Sequence, residues 1–520
     1  MNNLNINFNI GLLGHVDSGK TTLAQALSTV ASTAAFDKNP QSKERGITLD
    51  LGFSALTAEA PEHLQSLSPS VKLMQFTFVD CPGHASLIRT VIGGAQIIDL
   101  MILVVDAQKG IQTQTAECIV IGELLKKKLI VVINKIDLID EPGREDYLKK
   151  LKIKLKKVLS RTTFQDVPIT CISALNKTNL EDVVQSIKSA VHIPVRDYEQ
   201  PLLIYVDHCF PIKGQGTVCT GTIIQGKVSV NDTIELPSIK EQRKVKSIQM
   251  FKNPVQNAGQ GDRIGLCVTQ FNSSLMERGV ISKPGYLTFV HAAVIRLNRI
   301  EYYKFALKSK SKLHITVGHN TVMAKITVFK GETIEESFDS TNEYECIDEL
   351  LADEKLIHDH FVLLEFENPI LANNKSMIIA SKLDLDVHAN TCRLAFWGCI
   401  EWLTHSSNYS VEILPKLRIF RKKQKQGTIQ RVVNENQVIV QNLFKKDGNR
   451  DVYVGKKIEL STGECGIIES TFGQTSKVKI NFPEGLRADT LDLLKTKMNT
   501  VLVILKFKKY IFNKKLGIIQ

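Results

Sequence analysis

The stretch Gly14-His-Val-Asp-Ser-Gly-Lys-Thr21 fits the pattern G-x-x-x-x-G-K-[ST] of a phosphate-binding loop. It follows an apolar segment, Asn7–Leu13, and precedes a helical pattern, Thr22–Thr29. Glycines let backbone N–H groups point at phosphate oxygens, and the N-terminus of the following helix adds a favourable dipole. We expect Lys20 at the β- and γ-phosphates and the Thr21 hydroxyl on Mg²⁺. The residues predicted to bind the nucleotide here are Asp17, Ser18, Gly19, Lys20, Thr21 and Thr22.

Short apolar segments alternate with helical patterns through the first 195 residues. The predicted strands are Asn7–Leu13, Gln75–Val79, Leu100–Val105, Leu129–Ile133 and Ile169–Ile172, and the predicted helices are Thr22–Thr29, Ala85–Ala95, Thr113–Leu125 and Arg144–Leu159. Strands this short and this apolar are typical of a parallel sheet buried on both faces. The alternation predicts an α/β doubly wound P-loop domain.

A second pattern identifies the base of the nucleotide. Asn134-Lys-Ile-Asp137 directly follows an apolar strand, so Asp137 lies at a strand end, where its carboxylate can accept hydrogen bonds from N1 and N2 of guanine. Adenine cannot offer that pair of donors, and unpaired buried acceptors reject such an analogue strongly. Asn134 would hold the loop, Lys135 would cover the ring, and Ser173-Ala174 would direct a backbone N–H to guanine O6.

Two further segments complete a GTP hydrolysis site. In Asp80-Cys-Pro-Gly-His84, Asp80 is expected near Mg²⁺, Gly83 would donate its N–H to the γ-phosphate, and His84 would position the attacking water. In Arg45-Gly-Ile-Thr48, the Thr48 hydroxyl would join the Mg²⁺ ligands when a triphosphate is bound. The four patterns together predict GTP and GDP as ligands and GTP hydrolysis as the reaction.

The sequence pattern changes after the segment 192–201, which is predicted to be a linker. Short, alternating, β-branched segments follow, separated by Gly, Pro, Asn and Asp, and they indicate antiparallel barrels. The predicted domains are an α/β domain at 1–196, β-barrels at 197–284 and 285–412, and a β-rich C-terminal domain at 413–520.

Charge is distributed very unevenly along the 520 residues. The net charge is +12, yet residues 413–520 contain 22 basic and nine acidic residues, a net +13. Cations interleaved with aromatic side chains favour RNA binding by this domain, whereas a solubilising surface or a nuclear import signal remain alternatives. The aromatic residues in question are Phe507, Tyr510 and Phe512.

Composition excludes several other classes of protein. With 43% hydrophobic and 23% charged residues the chain is typical of a globular protein, and no apolar run reaches the length of a membrane span. The ten Cys form no C-x-x-C pair, so a reducing compartment is expected. We predict a cytoplasmic monomer that does not bind membranes; KKQK (422–425) and KFKK (506–509) leave nuclear shuttling open.

Several stretches resemble translational GTPases of the elongation factor Tu class, and among these the eukaryotic selenocysteine-specific elongation factors. They are 31–53, which ends in RGITLDLGF, and VDHCFPIKGQGTVCTGTI (206–223), GDRIGLCVTQF (261–271), KLHITVGHNTVMAKI (312–326) and STGECGIIESTFGQ (461–474). The P-loop departs from the usual H-V-D-H-G-K-T of the class, because Ser18 replaces the second His.

The resemblance implies a carrier that delivers selenocysteinyl-tRNA to the ribosome at UGA codons recoded by an RNA element. It implies that Val16 and Ile47 form an apolar gate beside His84, and that Asp17 helps to hold a monovalent cation. It also implies a pocket for the selenocysteine side chain on the first barrel, at Asp207, His208 and Arg278. Because a selenol ionises more readily than a hydroxyl, a fixed cation there would favour selenocysteine over serine. Asp207 is expected to orient His208.

Two other functions remain possible from the sequence. One is a general or initiator tRNA carrier, which the terminal domain and the VDHCF and MERG segments disfavour. The other is a GTP-gated RNA-binding scaffold with little hydrolysis, which the intact D-C-P-G-H disfavours. The eukaryotic-type resemblance favours indirect contact with the selenocysteine-insertion RNA element, through a separate RNA-binding protein.

Overall fold

A computed structural model describes residues 5–31, 52–67, 72–82, 92, 96–212, 216–251, 253–318, 320–331, 337–352, 360–385, 391–444, 451–472, 477–496, 500–513 and 518–520. None of the helices in these ranges has the length and apolar character needed to cross a membrane.

The N-terminal region is a mainly parallel sheet covered by helices on both faces. Its strands are β1 Asn5–Leu13, β2 Val30–Ala31, β3 Gly52–Glu59, β4 Leu73–Asp80, β5 Leu100–Asp106, β6 Lys128–Asn134 and β7 Ile169–Cys171. Its helices are α1 Lys20–Leu27, α2 Glu62–Leu67, α3 Thr113–Leu124, α4 Arg144–Leu159 and α5 Leu180–Ala190. The strand order is β2-β3-β4-β1-β5-β6-β7, in which β2 and β3 form an antiparallel edge.

Alternate residues of the central strands enter two separate apolar cores. From β5, Met101, Leu103 and Val105 pack into one core, and Leu100, Ile102 and Val104 pack into the other. A strand buried on both faces explains the uninterrupted apolar segments of the sequence. The predicted α/β fold is therefore confirmed. The predicted helix Ala85–Ala95 lies almost entirely outside the described residues, and α2 and α5 were not predicted.

The next region is an antiparallel barrel. Its strands are β8 Leu203–Ile212, β9 Gly216–Gln225, β10 Lys227–Ser229, β11 Thr233–Leu236, β12 Glu241–Met250, β13 Asn253–Val255, β14 Asn257–Gly259, β15 Arg263–Val268 and β16 Gly279–Ser282. The pairing order β11-β16-β8-β9-β15-β12 returns to β11, which closes a six-stranded ring. We call it the first barrel.

A second closed ring follows, which we call the second barrel. Its region contains β17 Thr288–Arg296, β18 Asn298–Arg299, β19 Leu307–Lys308, β20 Lys312–Val317, β21 Asn320–Gly331, β22 Glu343–Ile347, β23 Glu349–Leu350, β24 His360–Ala372, β25 Met377–Ser381 and β26 Leu394–Thr404. The ring runs β20-β25-β26-β17-β24-β21 and back to β20. The two predicted barrels are confirmed.

The C-terminal region is also β-rich, as predicted. After α6 Tyr409–Glu412 it contains β27 Arg418–Asn434, β28 Gln437–Gln441, β29 Lys457–Leu460, β30 Cys465–Thr471, β31 Val478–Asn481, α7 Ala488–Thr496, β32 Leu502–Tyr510 and β33 Ile518–Ile519. Pairing of β27 with both β28 and β32 closes this sheet as well, and we call it the C-terminal barrel. Because β22 pairs in parallel with β27, one sheet continues from the second barrel into the C-terminal barrel.

A buried ion pair joins the α/β domain to the second barrel. Arg393, just before β26, donates from Nε and Nη2 to the two carboxylate oxygens of Glu117 on α3, both at 2.7 Å. The two side chains are 3% and 5% exposed. The predicted linker is anchored to the α/β domain as well, because Arg196 in the linker donates two hydrogen bonds to the Asp99 carboxylate, at 2.6 and 2.9 Å. The α/β domain is thus fixed to its neighbours by charge-assisted hydrogen bonds.

Candidate functional site

The P-loop joins β1 to α1, and the side chain of its lysine hydrogen-bonds to the backbone of the same loop. Lys20 Nζ donates to the carbonyl oxygens of Gly14 at 3.1 Å and His15 at 2.7 Å. Burial lowers the pKa of Lys20, and the nearby Asp80 carboxylate opposes that shift. A buried cation whose partners are mainly backbone carbonyls is suited to an incoming polyanion. This is the position that the sequence predicted for contact with the β- and γ-phosphates.

The side chains predicted to face Mg²⁺ meet at the start of α1. Thr21 Oγ1 donates to Asp80 Oδ2 at 2.6 Å, and Asp80 is the last residue of β4. A hydroxyl and a carboxylate are hard oxygen ligands of the kind that Mg²⁺ binds beside phosphates, so the donor set fits this ion. Thr48, the third predicted contributor, lies outside the described residues.

The remaining P-loop residues differ in exposure. Asp17 is exposed, with a left-handed φ of 59°, and Val16 is half-buried. Ser18 is fully buried, and its hydroxyl has no hydrogen-bond partner within the described ranges. Thr22 follows Thr21 on α1. The other members of the predicted gate and γ-phosphate contacts, namely Ile47, Gly83 and the catalytic candidate His84, lie outside the described residues.

Asn134 connects three segments of the predicted guanine site. At the end of β6, its Nδ2 donates to the Ser18 carbonyl at 3.0 Å, and its Oδ1 accepts from the Ala174 N–H at 2.9 Å. Gly19 makes this contact possible, because a Cβ there would lie 2.2 Å from Asn134 Nδ2, and its φ of +89° also favours glycine. The P-loop is thereby tied to Ser173-Ala174, as a shared nucleotide site requires.

The two charged residues that follow Asn134, Lys135 and Asp137, have positions suited to contact with a purine base. Lys135 adopts a left-handed φ of 65°, and its ammonium forms an ion pair with Asp106 at 2.9 Å. The Lys135 stem is thus held beside Asn134. Asp137 Oδ1 is buried and has no hydrogen-bond partner among the described residues. An unsatisfied buried acceptor is costly, and guanine would supply the missing donor.

The predicted selenocysteine pocket lies at an irregularity in the first barrel. The register of β8 against β9 shifts between Val206 and His208, which leaves Asp207 as the extra residue of a β-bulge. Bulges commonly reorient a side chain beside a functional site. Gly279, the first residue of β16, pairs with Val206, so Arg278 comes directly before the strand that pairs with β8, next to the position of Asp207. Asp207 is buried, His208 is half-buried and Arg278 is exposed.

Asp207 has other partners than the one expected from sequence. Its Oδ1 accepts from Thr220 Oγ1 at 2.8 Å, and its Oδ2 forms an ion pair with Arg263. No hydrogen bond joins Asp207 to the ring of His208 in the part of the chain that the structure describes, so the orientation of His208 by Asp207 stays a prediction. Neither Arg263 nor Thr220 was predicted from the sequence as a partner of Asp207. The Arg in GDRIGL gave no local signal, because its partner is 56 positions away.

The basic clusters of the C-terminal barrel have two different environments. Along the β22–β27 junction, cations pair with acids of the second barrel: Arg418 and Lys508 with Glu343, Arg421 with Asp348, and Lys422 with Glu345. Burial and the hydrogen bond to Glu343 raise the pKa of Tyr510. These cations therefore join two domains, a use that net charge alone did not reveal.

A lysine-lined groove remains on the same barrel. Its volume is about 880 Å³, and its lining includes Lys422, Lys423, Lys456, Lys457, Lys506 and Lys508. Lys423 and Lys457 are exposed and form no ion pair with any described residue. Phe507 and Tyr510, two of the aromatic residues interleaved with these cations in the sequence, are only 7% and 4% exposed and pack in the interior, so their rings are not exposed for stacking with RNA bases.

Comparison with known proteins identifies each region of the chain. Residues 5–196 match the elongation factor Tu GTP binding domain, and 216–279 match elongation factor Tu domain 2. Residues 294–398 match the third domain of eukaryotic selenocysteine-specific elongation factors, and 415–516 match the eEFSec C-terminal RIFT domain. The GTP-binding fold and the eukaryotic character predicted from sequence are therefore confirmed.

Individual relatives agree along nearly the whole chain. The mouse selenocysteine-specific elongation factor is 47% identical over 94% of this chain and 90% of its own length. The protein of the same name from Methanocaldococcus jannaschii is 32% identical over 94% and 97%. A solved structure, the translation elongation factor SelB of Methanococcus maripaludis with the GTP analogue GppNHp, has a TM-score of 0.72 and 28% identity over 97% of this chain and 99% of that one. This chain belongs to the selenocysteine-specific elongation factors, a family of GTP-binding, GTP-hydrolysing translation factors.

Proposed function

We propose that this protein binds GTP and selenocysteinyl-tRNA, delivers the tRNA to the ribosome at recoded UGA codons, and hydrolyses GTP there. The observation that carries this proposal is the conjunction of the Asn134-centred nucleotide site with the bulged, charged pocket on the first barrel, in a chain of this family. We further propose domains at 1–196, 197–284, 285–412 and 413–520, and a cytoplasmic monomer.

The nucleotide would be held by backbone and side chains of the α/β domain. Asp17, Ser18, Gly19, Lys20, Thr21 and Thr22 would surround the phosphates, and Asn134, Lys135, Asp137, Ser173 and Ala174 would surround guanine. Support for the base comes from the orphaned Asp137 oxygen, and support for the phosphates comes from the buried Lys20 ammonium. A monovalent cation near Asp17 rests on the family resemblance alone.

Thr21, Asp80 and Thr48 are the residues that would hold Mg²⁺. When bound, this ion neutralises charge on the β- and γ-phosphate oxygens. In the hydrolysis that we propose, His84 orients a water molecule in line with the γ-phosphorus, Gly83 donates to a γ-oxygen, and the bond to the β-phosphate oxygen breaks to give GDP and phosphate. Val16 and Ile47 would keep His84 away from the water until the ribosome is engaged.

A ribosome-stimulated GTPase assay tests the enzymatic part of the proposal. We expect ribosomes programmed with a recoded UGA to raise the hydrolysis rate of the wild-type protein far above its intrinsic rate. His84→Ala should abolish the stimulation but keep GTP affinity, because His84 acts on water and not on binding. Equal rates with and without ribosomes would favour a GTP-gated scaffold instead.

A competition experiment tests the cargo. Selenocysteinyl-tRNA and the same tRNA carrying serine should differ in affinity for the GTP-bound protein, because Arg278 offers a permanent cation to the selenolate. Arg278→Ala should narrow this difference, and Lys283→Ala, a nearby change outside the pocket, should not. If the wild-type protein bound selenocysteinyl-tRNA and seryl-tRNA with equal affinity, it would be a general carrier.

The C-terminal barrel is proposed to contact the RNA-recoding machinery, with the insertion element reached through a separate RNA-binding protein. The exposed Lys423 and Lys457 of the groove support a phosphate contact, whereas Arg418 serves the junction with the second barrel. Lys423→Ala/Lys457→Ala should weaken RNA binding and flatten its dependence on salt, since each lost phosphate contact removes about one unit from the slope. Arg418→Ala is the matched control, and an equal effect of both changes would contradict this assignment.

A further inference from the structure

Two thiols face each other on adjacent strands of the first barrel. Cys209 on β8 pairs directly with Cys219 on β9, and Cys209 Sγ donates to Cys219 Sγ at 3.2 Å. Both are free cysteines. Directly opposed residues of an antiparallel pair have Cα atoms about 4.5 or 5.5 Å apart, and both separations lie within the range of roughly 4.4–6.8 Å that a disulfide spans. The strand pairing thus already holds these residues at a separation that a disulfide can bridge.

The two thiols differ in their access to solvent. Cys209 is half-buried, whereas Cys219 is 2% exposed and belongs to the apolar core of the first barrel. The hydrogen bond with Cys209, together with burial, raises the pKa of the Cys219 thiol. An accessible cysteine beside a second one that resolves its oxidised form is the arrangement of redox-sensing thiols. In this pair Cys209 is suited to meet the oxidant and Cys219 to resolve the product.

The thiol pair is adjacent in register to the proposed selenocysteine pocket. The next pair along the two strands is His208 with Thr220, and Thr220 Oγ1 donates to Asp207 at 2.8 Å. Successive side chains of a strand point to opposite faces, so the thiols lie on the core side of the barrel wall and the Thr220 side chain lies on the other. A disulfide would shorten the sulfur–sulfur separation from 3.2 Å to about 2.05 Å, and the strands beside Asp207 would have to adjust.

We propose that Cys209 and Cys219 are a redox modification site, which a hydroperoxide oxidises to a disulfide between β8 and β9, and that this disulfide weakens discrimination by the adjacent pocket. The effect on the pocket rests on the function proposed above, whereas the formation of the disulfide does not. Disulfides inside cells are mostly transient and redox-sensing, so a pair that is reduced in the resting protein agrees with the expected reducing compartment.

The oxidation proceeds in two steps. The thiolate of Cys209 attacks one oxygen of the hydroperoxide, the O–O bond breaks, and the departing oxygen takes the proton that the thiol has lost, which leaves a sulfenic acid on Cys209. The sulfur of Cys219 then attacks the Cys209 sulfur, the S–O bond breaks, and the hydroxyl leaves as water with the Cys219 proton. Two thiols lose two electrons in total, and the hydroperoxide gains them and becomes an alcohol, or water in the case of hydrogen peroxide.

Peptide mass spectrometry tests whether the disulfide forms. The reduced, full-length, GTP-bound protein is treated with hydrogen peroxide, and its remaining thiols are then alkylated. We expect a Cys209–Cys219 disulfide that dithiothreitol reverses. Cys219→Val should give a sulfenic acid on Cys209 and no disulfide, because the resolving thiol is gone. Cys465→Ser is the matched control, since it removes an exposed cysteine of the C-terminal barrel and should leave the yield unchanged.

A binding experiment tests the effect on the pocket. After the peroxide is removed, the ratio of dissociation constants for seryl- and selenocysteinyl-tRNA is measured without oxygen, and the disulfide content is measured again afterwards. Oxidation should lower the ratio about fivefold in the wild-type protein, the effect of losing one ordinary hydrogen bond. Dithiothreitol should restore the ratio. Cys209→Ala/Cys219→Val, treated in the same way, should keep the ratio that it has before treatment, because it contains no thiol pair.

The outcomes separate this proposal from the proposed function. If peroxide modifies other cysteines and the Cys209–Cys219 disulfide does not form, the modification site is wrong. If the disulfide forms and the ratio is unchanged, the link to the pocket is wrong. An equal fall in the double variant would also overturn that link, since the oxidation would then act elsewhere. If the reduced wild-type protein does not distinguish the two tRNAs, the proposed cargo is wrong, and the mass spectrum still decides on the thiol pair.

Discussion

Breaking the buried ion pair between Glu117 and Arg393 should release α3 from the second barrel. Both hydrogen bonds of the pair are 2.7 Å long, and neither side chain is more than 5% exposed. Arg393→Met therefore leaves the Glu117 carboxylate buried without a counter-charge. Removing one partner of such a pair typically costs about 3–5 kcal/mol, whereas replacing both by apolar residues is often neutral.

Hydrogen exchange of the amides of α3 measures this cost directly. A loss of about 3–5 kcal/mol in the opening free energy corresponds to exchange that is faster by roughly two to nearly four orders of magnitude. Glu117→Leu/Arg393→Met should return exchange close to the wild-type rate. The matched control is Lys149→Met on α4, whose partners Glu145 and Asp146 are 90% and 79% exposed and each 3.8 Å away, and there we expect less than about 1 kcal/mol.

The reasoning would be refuted if Arg393→Met changed exchange in α3 no more than Lys149→Met does. It would also fail if the double variant were as destabilised as the single one, since the loss would then reflect packing and not an unpaired charge. Local exchange is the appropriate measurement, because a chain of several domains does not unfold in one two-state transition.

Three further predictions concern single residues. Asp137→Asn should lower GTP affinity by about 10⁴-fold, because the amide cannot accept both guanine donors, and should raise affinity for xanthosine triphosphate; titration with fluorescent nucleotides would disprove this if GTP affinity were unchanged. Gly19→Ala should abolish nucleotide binding, since its Cβ would meet Asn134 Nδ2 at 2.2 Å. Gly143→Ala, also at positive φ but with no atom within 4 Å, should bind normally in the same titration. Burial alone would raise the pKa of Glu464, but hydrogen bonds from Thr462, Thr490 and Arg487 lower it to about 2. Its stabilising effect is therefore complete above the unfolded value of about 4.3 and is lost as the pH falls toward 2. Glu464→Gln should flatten acid unfolding of the C-terminal barrel over this range when it is followed by circular dichroism, and two superimposable acid profiles would contradict the assignment.

The parts of the site that sequence predicted well are contiguous in the chain. A phosphate-binding loop is a local structure, since its glycines, its lysine and the helix that follows are all fixed by neighbours within a few residues. The Asn134–Asp137 segment is equally local, because a parallel strand delivers its last residues to the same edge as the P-loop. For the same reason the α/β sheet was predicted from alternating apolar and helical segments.

The parts that sequence did not predict depend on contacts between distant segments. Asp207 meets Arg263 only because β8 and β15 both flank β9, and Phe53 reaches Arg263 only because two domains dock. A barrel of short strands offers many possible registers, and the one-residue shift at the bulge decides which way Asp207 faces. Periodicity cannot specify that shift. The helix α7 was not predicted because the sequence on both sides of it has the short alternating pattern typical of β-strands.

The uneven charge of the chain acquires a different meaning once the contacts are known. The C-terminal region has a net charge of +13, and RNA binding was the simplest explanation of that excess. Yet Arg418, Arg421 and Lys508 pair with acids of β22 or of the loop that follows it, because the sheet continues across the junction. Some of the acids that make the first 412 residues nearly neutral therefore lie at this junction, where they balance cations of the C-terminal region. Among the described residues, Lys423 and Lys457 of the lysine-lined groove form no ion pair, so they are cations of the C-terminal barrel that remain available to RNA.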